Sequence, residues 1–134
     1  MHARYFTRAE LFETLSSTRT LLDKQLQKKT YKYKNGAIYT GEWAGGFRYG
    51  KGRMDWSDGA SFEGEWVLGY GCGKGVFTDC LGNRYMGDFW LSMAHGKGNY
   101  TNTLGAVYEG DWKFDMQHGQ GVEKWLNSGS YFKG

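Results

Sequence analysis

From residue 39 onward, large apolar residues alternate with polar ones in short bursts. Tyr39, Gly41 and Trp43 fall on one side of an extended chain, and Thr40 and Glu42 on the other. A second burst sets Gly52, Met54 and Trp56 against Arg53, Asp55 and Ser57. A period of two is the signature of a strand, because successive side chains point to opposite faces. The two bursts are joined by a glycine-rich stretch, so the pair predicts a β-hairpin.

The pair returns along the chain at a fixed interval. Tyr39, Phe62, Tyr85 and Tyr108 are 23 residues apart, as are Gly41, Gly64, Gly87 and Gly110. Trp43, Trp66, Phe89 and Trp112 keep the same step, each preceded by an acid: Glu42, Glu65, Asp88 and Asp111. Met54, Phe77 and Tyr100 repeat likewise, and so do the Gly-x-Gly pairs Gly50/Gly52, Gly73/Gly75, Gly96/Gly98 and Gly119/Gly121. Gly36, Gly59, Gly82 and Gly105 each stand three residues before the next aromatic. The units run 39–61, 62–84, 85–107 and 108–131. Tyr31, Tyr33 and Gly36 match the second half of an earlier unit, and Gly129 with Phe132–Gly134 opens a fifth. The expected organisation is an N-terminal region over 1–30 and a repeat domain over 31–134. The start of a fifth unit suggests a fragment of a longer repeat protein, or a homodimer joined through the open C-terminal sheet edge.

Two strands per unit, stacked in order, predict an all-β fold: one single-layer, elongated antiparallel sheet. Such a sheet has no second layer to bury its apolar face. The aromatic columns offset this by packing on one another, at roughly 0.2–1 kcal/mol per cross-strand pair. The glycines between them let the large rings lie flat. The acidic column is expected to face water.

This pattern resembles the MORN repeat (membrane occupation and recognition nexus), whose units follow roughly Y-x-G-x-W-x-x-G-x-x-x-G-x-G. The resemblance covers residues 31–134. Phe89 departs from the tryptophan column, Ser92 from the glycine column of Gly46 and Gly69, and Phe114-Asp115 from the usual turn glycine. The resemblance implies a scaffold that holds partner segments or dimerises end to end, in the cytoplasm, at cytoskeletal, ciliary or membrane-apposed structures. It also implies a regulatory region of a larger enzyme, such as a phosphatidylinositol phosphate kinase.

Residues 7–26 have a different pattern. Thr7-x-x-Glu10 reads as a capping box and Phe6 with Leu11 as its hydrophobic staple. Leu11, Leu15, Leu22 and Leu26 follow at helical spacing, which predicts an amphipathic helix over about 8–28. It is expected to pack on the first repeat and cover the sheet edge, or else to bind a partner or a membrane surface.

Charge sharpens the division. Residues 1–34 hold eight Lys/Arg against three Asp/Glu, whereas residues 35–134 hold nine against eleven. The basic character belongs to the N-terminal part, where Lys24, Lys28, Lys29, Lys32 and Lys34 are candidates for anionic lipid, at roughly 1 kcal/mol each near a surface. A net-negative repeat body argues against nucleic acid as a partner. There is no proline, and two cysteines, Cys72 and Cys80, do not make a disulfide framework.

Candidate chemistry is sparse. The stretch GYGCGKG at 69–75 looks like a phosphate loop, but Lys74 is followed by Gly75 rather than Ser or Thr, and the motif recurs in the other units. Cys72, His95 and His118 share one column with Tyr49. Neighbouring units lie two strands apart, about 9–10 Å, too far for side chains that must each reach within about 2.3 Å of a zinc ion. No catalytic constellation, metal or cofactor is expected. The expected site is a trough, curved by sheet twist, that takes a helix or an extended peptide. Trp43, Trp66, Phe89 and Trp112 are its anchors, Tyr39, Phe62, Tyr85 and Tyr108 its supporting column, with Met54, Trp56, Phe77 and Tyr100 alongside. The alternative is a peripheral module that binds phosphoinositides through the lysines.

Overall fold

A computed structural model describes residues 5–7, 9, 10, 13, 27–125 and 131–133. The described chain forms one open antiparallel sheet of ten strands in strict sequence order. The strands are β1 (Gln27–Lys32), β2 (Ile38–Ala44), β3 (Phe47–Asp55), β4 (Ser61–Val67), β5 (Tyr70–Thr78), β6 (Arg84–Trp90), β7 (Met93–Thr101), β8 (Ala106–Lys113), β9 (Met116–Trp125) and β10 (Tyr131–Lys133). The expected single-layer sheet is what the chain forms.

Each repeat contributes a hairpin, and the four hairpin tips share one conformation. Gly45-Gly46, Leu68-Gly69, Leu91-Ser92 and Phe114-Asp115 all have positive φ at both positions. That is the type I′ geometry whose twist matches the flanking strands. The last three tips are each tied to the unit before: Gly69 N donates to Arg48 O at 2.9 Å, Ser92 N to Gly71 O at 2.8 Å and Asp115 N to Ala94 O at 2.9 Å. The departures from the glycine pattern have a use here. Ser92 Oγ accepts from Gly71 N at 2.9 Å, and Asp115 Oδ1 from Ala94 N at 2.7 Å, so both side chains close the same tie from the other side.

One face of the sheet is aromatic. Tyr39, Trp43, Met54, Phe62, Trp66, Phe77, Tyr85, Phe89, Tyr108 and Trp112 are buried on it. The rings meet edge to face in a continuous chain. Phe62 lies 5.1 Å from Trp66 and 4.7 Å from Phe89, and Tyr85 lies 5.0 Å from both Phe89 and Trp112. This geometry is favoured by the ring quadrupole. Paired glycines floor the columns, with Gly64 opposite Gly75 and Gly87 opposite Gly98. A Cβ on Gly75 would sit 2.6 Å from Phe62 Cζ, so the ring occupies the space a side chain would need.

The N-terminal part differs from expectation. Most of the helix expected over 8–28 lies outside the described residues. Its last two positions, Gln27 and Lys28, are strand rather than helix. They open β1, which pairs with β2 from Gln27↔Trp43 to Lys32↔Ile38. The sheet therefore includes residues 27–30, which the expected boundary at 31 assigns to the N-terminal region. Gln27 and Lys29 stand where later units have the glycines of Gly-x-Gly, which masked the match. Of the expected capping box only one bond is present, Glu10 N donating to Thr7 Oγ1 at 3.3 Å; Thr7 N donates to Tyr5 O, and the Glu10 carboxylate turns to Arg48, Asn35 and Trp56. The Phe6 ring packs on Trp56, Phe62 and Trp66 at 5.1–5.7 Å; Leu11, the other half of the expected staple, lies outside the described residues.

Candidate binding face

The opposite face of the sheet carries an alternating ladder of charge. The acid of each unit stands at a bulge. Gly64 pairs with Gly75 and Trp66 with Gly71, so Cys72, Gly73 and Lys74 all stand opposite the single residue Glu65. Gly73, at φ +90°, makes the turn this requires. The bulge leaves an amide unpaired in the ladder, and the acid accepts it. Glu42 Oε1 takes Lys51 N at 2.7 Å, Glu65 Oε2 takes Lys74 N at 2.6 Å, Asp88 Oδ2 takes Lys97 N at 3.0 Å and Asp111 Oδ2 takes Gln120 N at 3.2 Å. The acidic column therefore does not simply face water, as its position in the alternation predicts; it caps the backbone. In the stretch GYGCGKG a carboxylate already fills the place a phosphate would need.

Lysines from the neighbouring strand complete the ladder. The Lys74 ammonium bridges to Asp88 and that of Lys97 to Asp111. Burial raises the Asp88 carboxyl, but the hydrogen bonds from the Lys74 ammonium and the Lys97 amide outweigh it, and the net shift is below the ordinary 3.8. Asp111 is lowered by the Lys97 ammonium first and the Gln120 amide second. Lys28 stands opposite Glu42, and Lys51 opposite Glu65, in the same register.

On the aromatic face each tryptophan is fixed by its indole. Trp43 Nε1 donates to Lys29 O, Trp66 Nε1 to Gly52 O and Trp112 Nε1 to Gly98 O, at 3.0–3.1 Å. The phenols of Tyr39 and Tyr85 donate to the carbonyls of Glu42 and Asp88 at 2.9 and 2.8 Å. Burial pushes both phenols well above the ordinary 10.0, so they stay neutral donors.

The chain's own N-terminal residues lie on this face. Tyr5 is buried, with its ring 4.8 Å from Trp56 and 5.4 Å from Phe77. Its hydroxyl donates to Asp58 Oδ2 at 2.9 Å. Glu10 is 2% exposed and so is Arg48; Arg48 Nη1 meets Glu10 Oε1 at 3.2 Å. Glu10 Oε2 accepts from Asn35 Nδ2 at 2.9 Å and from Trp56 Nε1 at 3.2 Å. Arg48 Nη2 donates to Gly69 O at 2.8 Å, and its guanidinium lies 4.9 Å from the Trp66 ring.

The sequence matches the MORN-repeat family model at residues 39–61, 62–84, 85–103 and 108–130. The chain belongs to the MORN-repeat family. No curated protein matches it.

The residues expected to line an open trough in this MORN domain are its core. Tyr39, Trp43, Met54, Trp56, Phe62, Trp66, Phe77, Tyr85, Phe89, Tyr108 and Trp112 are all buried, and only Tyr100 is half-exposed. Their edge-to-face packing closes the surface between them, and over the first two repeats Tyr5 and Phe6 lie on top. They act by shaping the face rather than by standing free on it. The lysine candidates do not form one patch. Lys24 lies outside the described residues. Lys28, Lys29 and Lys32 are exposed along β1, but neighbours on a strand point to opposite faces. Lys28 thus faces Glu42, whereas Lys29 Nζ lies 4.9 Å over the Trp43 ring. Lys34 donates its backbone N–H to Glu13 at 3.2 Å. Among the described residues no group of His, Cys, Asp and Glu has metal-binding geometry. No described helix is long and apolar enough to cross a membrane.

Two features escaped the sequence reading. Arg48 and Glu10 form a buried ion pair, with the exposed Asn35 bonded to it. The signal was available: Arg48 shares its column with Gly71, Ala94 and Gln117, so one long cation replaces small or neutral residues. The second is a row of apolar tips. Leu68, Leu91 and Phe114 are 44–51% exposed while holding positive φ, and Trp90 and Met116 stand exposed beside them.

Proposed function

We propose that this MORN domain is a non-enzymatic intracellular scaffold that holds a protein segment against its aromatic face. One observation carries the reading: the chain's own Tyr5, Phe6 and Glu10 are seated on that face by rings, a hydroxyl and a carboxylate. A surface that accepts such a segment in cis has the chemistry to accept one in trans. A membrane reading draws on Lys28, Lys29 and Lys32, exposed along the edge strand β1.

The test selects peptides from a displayed library on the full chain and maps them by NMR. The scaffold reading expects shifts at the indole N–H signals of Trp56 and Trp66 and at Tyr100, with binding retained at 0.5 M salt. Screening shortens electrostatic reach to a few ångströms there, so lipid contact by lysines is lost. Selected peptides that map only to the charged face, or vesicle co-sedimentation as the sole salt-sensitive activity, overturn it.

A further inference from the structure

We propose that Arg48, Asn35 and Trp56 form a carboxylate socket on the aromatic face, which residues 5–10 occupy as an intramolecular stand-in for a partner segment of the form aromatic-aromatic-x-x-x-acid. The inference rests on the scaffold reading above and names the partner's chemistry.

The socket belongs to the repeats, not to the segment. Its three donors come from three places: the turn after β1, the strand β3 and the residue that follows β3. They converge on the two oxygens of one carboxylate, at 2.9–3.2 Å. Arg48 is buried, and its guanidinium carries a positive charge to the centre of the socket. With Glu10 withdrawn it keeps Gly69 O and the Trp66 and Tyr33 rings, but no counter-ion in the cluster. Glu10 supplies that counter-charge, and three donors converging on one carboxylate suit an acid from another chain by the same chemistry. The aromatic half of the motif is fixed too. Tyr5 O accepts from Trp56 Nε1 at 3.0 Å, the same indole that reaches Glu10. This sets the spacing between the aromatic pair and the acid.

The segment is built to exchange. The main-chain hydrogen bond described within residues 5–10 joins Thr7 N to Tyr5 O; among the described residues none joins this segment's backbone to that of the sheet. Apart from Tyr5 O on the Trp56 indole, the contacts described between this segment and the sheet are made by its side chains. A tethered occupant competes at an effective concentration on the order of millimolar, so a trans segment enters only if it binds better or if the tethered one is weakened.

The experiment uses the full chain and a labelled peptide of residues 1–13. Fluorescence polarisation measures binding, and the 15N signal of the Trp56 indole reports which segment fills the socket. Weak binding to the wild-type chain is expected, with at least a tenfold gain in affinity for the chain carrying Glu10→Gln. A peptide carrying Glu10→Gln is expected to lose that binding, and this comparison leaves the protein untouched. Equal affinity of the wild-type peptide for both chains, or equal binding of both peptides to the Glu10→Gln chain, overturns the proposal. If the 1–13 peptide fails while library peptides still map to the aromatic face, the socket is wrong and the scaffold reading stands. If both fail, both readings fall.

Discussion

Replacing Gly75 by alanine tests the reason the repeat carries paired glycines. Gly75 has no left-handed φ, so alanine is acceptable to its backbone. By itself such a change stabilises by about 0.4–1 kcal/mol through the unfolded chain. The added Cβ, however, meets Phe62 Cζ at 2.6 Å and Cε1 at 2.8 Å. The ring must retreat by roughly 0.8 Å to restore ordinary contact. It is fully buried and has nowhere to go, with Trp66, Phe89 and Phe6 at 4.7–5.6 Å on its other sides. Overpacking of this kind costs about 1–3 kcal/mol, and we expect about 2 kcal/mol net in urea unfolding. Phe62→Leu, which withdraws the ring, supplies the decisive comparison. In a double-mutant cycle, Gly75→Ala should cost at least 1 kcal/mol less in the Phe62→Leu background. An equal cost in both backgrounds refutes the idea that the ring dictates the glycine.

Three further outcomes follow from the same geometry. Trp112→Phe removes the indole bond to Gly98 O while keeping an aromatic ring, and should destabilise by about 1–2 kcal/mol in the same unfolding assay. Asp88→Asn tests the ladder by pH: a carboxyl held below its ordinary value contributes stability above that value and loses it as pH falls through the lowered one. The wild-type advantage, below about 1 kcal/mol for so accessible a group, should be present at pH 6 and vanish near pH 2 in thermal unfolding. Leu91→Gly relieves a left-handed residue that buries little, and should stabilise by about 0.5 kcal/mol after glycine's own entropy cost; a lower urea midpoint would contradict this.

The sheet was legible because its signals repeat. A single aromatic-x-Gly-acid-aromatic burst is weak, but four in register fix strand, hairpin and stacking order together. What resisted reading was whatever occurs once. β1 was hidden because Gln27 and Lys29 replace the marker glycines, although the pairing needs only backbone. The role of Glu65 was hidden because alternation assigns a face, not a hydrogen bond, and the bulge that presents Lys74 N to it depends on register. Arg48 and Glu10 lie 38 residues apart with no repeat to link them. The closed packing of the aromatic face was hidden for another reason: alternation says that large rings share one side, but not that they pack edge to face over glycine and are buried, with Tyr5 and Phe6 over them.

The strict strand order has a mechanical consequence. Among the described residues no strand crosses over, and each hairpin pairs with the ones beside it. Pulled from its C-terminal end, the sheet should open like a zipper, one hairpin per step, with each step releasing a single 23-residue unit at a nearly constant force. The N-terminal end is latched differently, since Tyr5 reaches Asp58 across 53 positions and Glu10 reaches Arg48 across 38. Loaded from that side, several strands share the tension before any of them yields. A chain built from near-identical units would thus be compliant in one direction of pull and stiff in the other.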